Sequence, residues 1–139
     1  MKVELSVQKA PGSYTVKREN GKELVLDGGS FFGAEEGEFR PTELLLSAVG
    51  GCAVLDVGLI LGKKRFPVDD LKVAVSGERD ENATPKRFVS IHLDFWVNPA
   101  IPIAQAEKVV ELSVFKYCTV AASLDKDIKI TTKVIHHEG

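Results

Sequence analysis

The sequence predicts an α+β domain, mostly antiparallel strands wrapped around one long central helix, in the order β-β-β-α-β-β-α-(α)-β. Three observations carry that reading. Apolar positions alternate near both ends of the chain, a long apolar stretch opens at Pro41, and no repeat, linker or low-complexity tract divides the 139 residues. With 44% apolar and 27% charged side chains, the chain can bury enough surface to offset the entropy of ordering, so residues 1–139 are read as a single folded domain.

Residues 2–8 place Val3, Leu5 and Val7 on one side and Lys2, Glu4, Ser6 and Gln8 on the other, the period of a half-buried strand. Pro11-Gly12 marks a turn. Tyr14 to Arg18 and Lys22 to Asp27 flank Asn20-Gly21, a dipeptide that accepts the positive φ angles of a tight hairpin, so three N-terminal strands form a meander. Gly28 to Arg40 has no sustained period and reads as a long glycine-rich loop. Its Phe31, Phe32 and Phe39 are too apolar to leave in water and are expected to cover a site or a subunit contact.

Pro41 opens the longest helical pattern, because proline at the first helical position sacrifices no hydrogen bond. At 100° per residue, Leu44, Leu45, Ala48, Cys52, Leu55 and Leu59 share one face, which is expected to turn inward. Gly51, Gly58 and Gly62 form an adjoining stripe. With Gly50 they cost the helix roughly 4 kcal/mol relative to alanine, so close approach of another helix is expected to compensate, and a second subunit to cover what one sheet leaves bare. Lys63-Lys64-Arg65 sits where cations favour the negative end of the helix dipole, and Pro67 ends the helix.

Leu71 to Asp80 and Arg87 to Val97 read as longer strands around the turn-rich Glu81 to Pro85. In the second, Val89, Ile91, Leu93, Phe95 and Val97 face one way. His92 faces the other and reads as an ordinary surface or edge residue, with Trp96 suggesting that part of its face is covered. Ala106, Val109, Val110, Val114 and Tyr117 recur at helical spacing. Cys118 falls at the end of that pattern or in a short helix through Leu124, and Asp127 to Ile135 closes the chain as a strand.

The composition excludes several classes of function. Eighteen basic against 20 acidic residues give a net charge of −2, a poor basis for nucleic-acid binding, which is largely cationic charge meeting phosphate. No uninterrupted apolar run reaches the roughly 18 residues of a membrane span. The N-terminus alternates instead of showing a basic start and a greasy middle, so a cytoplasmic protein without a signal peptide is expected. Two cysteines 66 positions apart and three histidines do not form a zinc signature, and no metal is implied.

What remains is the pair of thiols. In a reducing compartment Cys52 and Cys118 are either two buried core residues or a redox pair. A free thiol is only about 3% thiolate at pH 7, so reactivity needs a nearby cation or donor. Cys52 lies too far from Pro41 for its own helix dipole to help, and Asp56 one turn later opposes ionisation. Lys116 and a helix boundary are better placed for Cys118.

The segment Arg40-Pro41-Thr42-Glu43-Leu44-Leu45-Leu46-Ser47-Ala48-Val49-Gly50-Gly51-Cys52 resembles the PxELLLxAxGGC helix start of the OsmC-like family, which includes the osmotically inducible and the organic-hydroperoxide-resistance (Ohr) proteins. Lys116-Tyr117-Cys118-Thr119-Val120 is similar to that family's second cysteine motif, and the element order agrees across the chain. The resemblance implies an OsmC/Ohr-like fold in an intertwined homodimer. It further implies that Cys52 attacks an organic hydroperoxide and becomes a sulfenic acid, that Cys118 resolves it as a disulfide, and that a lipoyl or thioredoxin-type dithiol restores both thiols. No bound cofactor is needed. Active family peroxidases usually carry glutamate directly after the helix proline, where this chain has Thr42, and an arginine in the first strand connection, which here reads Lys9-Ala10-Pro11-Gly12-Ser13. Glu43, Arg18 and Arg40 are the auxiliary candidates in their place.

The leading expectation is thus thiol-dependent reduction of organic hydroperoxides through Cys52 and Cys118. The rival is a non-enzymatic dimer that binds a small apolar or thiol-reactive molecule near Cys52, in a pocket lined by Phe31, Phe32 and Leu45. A third reading is a dithiol redox module with a protein partner.

Overall fold

The N-terminal meander forms where alternation predicts it. In a computed structural model that describes residues 1–8, 13–27 and 38–138, β1 (Val3–Gln8), β2 (Ser13–Arg18) and β3 (Glu23–Asp27) pair antiparallel in that order. The β2–β3 hairpin closes with Gly21 N–H donating to the Arg18 carbonyl at 3.0 Å and Arg18 N–H to the Lys22 carbonyl at 2.9 Å. Gly21 supplies the one positive φ, +87°, and the Asn20 side chain accepts from Lys22 N–H at 3.1 Å. This is a three-residue loop with a left-handed glycine, one residue longer than the tightest hairpin. The expected turn at Pro11-Gly12, the rest of the first strand connection, and residues 28–37 with Phe31 and Phe32 lie outside the described residues. Phe39 is exposed.

The long helix α1 (Pro41–Lys63) starts at the predicted proline. Leu44 N–H donates to the Arg40 carbonyl at 3.0 Å, and the Glu43 carboxylate accepts from Arg40 N–H at 3.0 Å. This is the carboxylate half of a capping box. The other end is a Schellman cap, with Arg65 N–H donating to Gly62 and Phe66 N–H to Leu61, at 2.9 and 3.1 Å. Arg65 occupies the left-handed position at φ 65°. The helix therefore ends by its own hydrogen bonding at Lys63, four residues before Pro67.

Two compact units divide the chain at Leu45, residues 1–45 and 46–139. In the second, β4 (Lys72–Arg79), β5 (Phe88–Val97) and β6 (Lys129–His136) form a sheet in that order. β4 and β5 are antiparallel, while β6 runs parallel to β5. The parallel ladder departs from the antiparallel sheet expected from the sequence, and its cause is the connection. About thirty residues containing α2 (Ile103–Leu112), a π-helical turn (Ser113–Tyr117) and α3 (Thr119–Ala122) join β5 to β6, as a crossover requires. Ile91, Leu93, Phe95 and Val97 of β5 meet Val49, Ala53, Val57 and Leu61 of α1 and Ala106, Val110 and Val114 in one buried core.

The buried face of α1 corrects the sequence reading. Val49, Gly50, Ala53, Val57 and Leu61 are buried, whereas Leu55 and Leu59, expected inside, are 74% and 57% exposed. The reason is Gly50: a Cβ there would lie 2.5 Å from a methyl of Val75, so this face packs closely on β4. Within the chain a close backbone approach is made at Gly50, to a strand; Gly51 and Gly62 meet no described atom within 4 Å. No apolar run of α1 reaches 18 residues uninterrupted, yet by length and average composition the helix is apolar enough to cross a membrane, with mean hydropathy 2.2 over 18 residues. Asp56 interrupts the run without lowering its average below that of a span. In this fold the helix instead supplies part of the core.

Candidate functional site

Cys52 follows the buried Val49 by three residues on α1, shares by helical spacing the face of Leu55 and Leu59, and is half-buried. Cys118 arrives from the other side of the core. The π-helical turn ends at Tyr117, the backbone becomes extended at Cys118, and α3 begins at Thr119. That conformation makes Cys118 the N-cap of α3, and its sulfur accepts from Ala121 N–H at 3.4 Å. Its thiol is also directed at the Val49 carbonyl, 3.9 Å away, which ties the cap to α1 one turn before Cys52. Cys118 is 2% exposed.

The two thiols are free and lie near each other, close enough to interact. Burial pushes the Cys118 thiol above its ordinary range, and the neighbouring Cys52 raises it further. The backbone N–H groups of Ala121 and Val120 pull in the opposite direction, with less weight than burial. Residues 66 positions apart in sequence are thus brought to one spot by the packing of the π-helical turn and α3 on α1. The arrangement permits thiol–disulfide chemistry between them.

The other site residues read from the sequence belong to the N-terminal unit. Glu43 caps α1 through Arg40 N–H, Arg40 is the capped residue, and Leu45 is half-buried on the same helix. Arg18 is exposed at the end of β2 and anchors the hairpin through its backbone. An apolar groove of about 470 Å3 in this unit is lined by Val3, Leu5, Val7, Val16, Leu26 and Leu44 among others.

His92 occupies the central strand of the C-terminal sheet, on its open face. Its Nδ1 is 2.6 Å from the Thr131 hydroxyl on β6 and its Nε2 3.0 Å from the Asp94 carboxylate, so it stitches β5 to β6. Trp96, on the same face, is covered by the Lys72 ammonium 4.8 Å from its ring centre. Among the described residues no three His, Cys, Asp or Glu side chains converge as a metal site.

Residues 33–133 match the profile described as OsmC-like protein. The chain belongs to the OsmC-like family. Protein YhfA of Escherichia coli K12 is 39% identical to it over 113 residues, 81% of each chain. A crystal structure of a hypothetical protein from Aquifex aeolicus VF5 is 31% identical, with a TM-score of 0.75 over 99% of this chain and 97% of that one. An organic hydroperoxide resistance protein OsmC from Legionella pneumophila shares the fold, with a TM-score of 0.70 over 96% of both chains at 14% identity. Within this OsmC-like chain the partners missed by sequence reasoning are backbone groups, the Val49 carbonyl and the Ala121 N–H. Backbone atoms leave no mark in residue types. The placing of Cys118 directly before a short helical pattern was the available signal for its capping role.

Proposed function

We propose that this chain is a thiol-dependent reductase of organic hydroperoxides, acting as a homodimer, with Cys52 as nucleophile and Cys118 as resolving thiol. The single observation that carries the reading is the meeting of two free thiols, one half-buried and one fully buried, from distant parts of an OsmC-like chain. The Cys52 sulfur takes the distal peroxide oxygen, an alcohol leaves, and a sulfenic acid forms. The Cys118 sulfur then attacks the Cys52 sulfur and water departs, leaving a disulfide. A dithiol of the lipoyl or thioredoxin type reduces it. The exposed Leu55 and Leu59 on α1 supply apolar surface that a second subunit would cover.

The test mixes reduced protein with cumene hydroperoxide and follows both thiols by mass spectrometry. A Cys52–Cys118 disulfide forms within the turnover time. Cys118→Ser halts at a sulfenic acid on Cys52 that dimedone traps, and Cys52→Ser leaves peroxide consumption at background. Thiols unchanged by millimolar peroxide would remove the enzymatic reading. The alternative, a non-enzymatic OsmC-like dimer that binds a small apolar or thiol-reactive ligand, is favoured by the apolar groove of the N-terminal unit. It predicts saturable binding of an apolar fluorophore that survives Cys52→Ser.

A further inference from the structure

We infer that Thr131 is an acyl-acceptor site, a hydroxyl made nucleophilic by His92 and able to take the acyl group of a small acyl phosphate. The site is separate from the two thiols. Ile91, Leu93, Phe95 and Val97 of β5 enter the core with α1 and α2, so the alternating His92 and Asp94 stand on the opposite face of the sheet. Thr131 is paired with His92 in the parallel β5–β6 ladder and is exposed. A second subunit that covers Leu55 and Leu59 of α1 approaches from the other side of this sheet.

Three side chains form a relay. His92 Nε2 is 3.0 Å from a carboxylate oxygen of Asp94, and Nδ1 is 2.6 Å from the Thr131 hydroxyl. Donor chemistry fixes the direction of both bonds. A carboxylate only accepts, so Nε2 carries the hydrogen of the neutral imidazole, Nδ1 holds a lone pair, and the hydroxyl donates to it. A hydroxyl bonded to a base that a carboxylate orients is the arrangement that activates serine and threonine nucleophiles. Strand pairing does not account for Asp94, because it lies on β5 with His92 and its contact joins no second strand. What that contact does is set the tautomer.

Lys129 and Lys133 flank Thr131 on the same exposed face of β6, each about 7 Å along the strand. Two cations beside the hydroxyl favour a donor with an anionic leaving group, which selects an acyl phosphate over a neutral ester. The step balances. The Thr131 oxygen attacks the carbonyl carbon, its proton passes to His92 Nδ1, and the bond from that carbon to the phosphate oxygen breaks with its electron pair on phosphate. The imidazolium gives its proton to the departing phosphate. The products are an acyl-threonine ester and inorganic phosphate, with nothing oxidised or reduced.

The experiment incubates the full-length protein with acetyl phosphate and follows acetylation residue by residue by peptide mass spectrometry. Alkaline hydroxylamine removes esters and spares lysine amides. Ser76, an exposed primary hydroxyl across the β4–β5 ladder from His92, is the internal control. Thr131 is expected to acetylate at least about tenfold faster than Ser76, although its secondary hydroxyl is the more hindered. His92→Gln should bring Thr131 down to the Ser76 rate. Asp94 is a positioning residue: Asp94→Asn should also slow Thr131, since an amide can donate to Nε2 and reverse the tautomer, and Asp94→Glu should recover part of the rate. Equal rates at Thr131 and Ser76 in the wild type, or a fast Thr131 that survives His92→Gln, overturn the inference. The wild-type ratio decides even where a variant fails to fold.

Discussion

The two faces of α1 have almost the same composition and opposite fates. One places Val49, Ala53, Val57 and Leu61 in the core, and the other leaves Leu55 and Leu59 exposed on the single chain. Hydrophobicity does not separate them, since aliphatic residues stand on both. The separating feature is a missing side chain, because Gly50 lets the helix settle on Val75 and β4. Cys52 shares the Leu55 and Leu59 face and is half-buried, whereas Cys118, enclosed between the π-helical turn and α3, is 2% exposed. The burial of each α1 residue here follows from where the helix is allowed to touch a sheet.

The largest test of this contrast is truncation of matched leucines. Leu61→Ala removes a fully buried side chain and is expected to lower stability by about 2–5 kcal/mol. Leu59→Ala should change the stability of the isolated subunit by less than about 0.5 kcal/mol. Urea unfolding of both variants measures the difference, and equal losses would break the comparison. If Leu59 is costly only at high protein concentration, a second subunit covers it.

Next come the glycines. Gly50→Ala drives a methyl into Val75, a β-branched neighbour with little freedom to move, and should cost about 1–3 kcal/mol. Gly51→Ala meets no described atom within 4 Å and should gain about 0.5–1 kcal/mol from helix propensity. Opposite signs in parallel denaturation curves would sharpen the contrast, and a stabilised Gly50→Ala would refute the close approach. At the helix end, Arg65→Gly relieves a left-handed arginine and should raise the unfolding midpoint by an amount equivalent to about 1 kcal/mol.

The buried thiol gives the smallest and most specific effect. A thiol held above its ordinary value of 9.0 in the native state stays protonated while that of the unfolded chain ionises. The contribution of Cys118 to stability is therefore complete below pH 9.0 and falls as pH rises through the raised native value. Comparing urea midpoints of wild type and Cys118→Ala between pH 8 and 11 isolates it. The gap between them should narrow as pH rises, and a gap that widens would contradict the burial.

Much of the fold was legible because it is written in periods and punctuation. The alternation of Val3, Leu5 and Val7, the Asn20-Gly21 pair, the proline that opens α1 and the alternating core residues of β5 each follow from local chemistry that the structure keeps. The buried face of α1 was not legible, because a helix apolar on nearly all sides offers periodicity no preference. The parallel pairing of β6 was legible only in the length of the connection before it, since strand patterns look alike in either direction. For the site, the two cysteines could be named from the motifs around them, while the carbonyl and N–H that hold Cys118 are common to every residue type.

The sequence by itself determined most of the strands and helices, where the long helix starts, the family of the chain and which two sulfurs are candidates for the site. Those properties reside in neighbouring residues and short motifs, so one dimension suffices to read them. The tertiary structure decided which side of α1 faces the sheet, that Cys118 is enclosed while Cys52 is half-open, and that residues 66 positions apart share one environment. Each of these depends on how closely two distant backbones approach, a distance that Gly50 and the π-helical turn set only once the chain has folded.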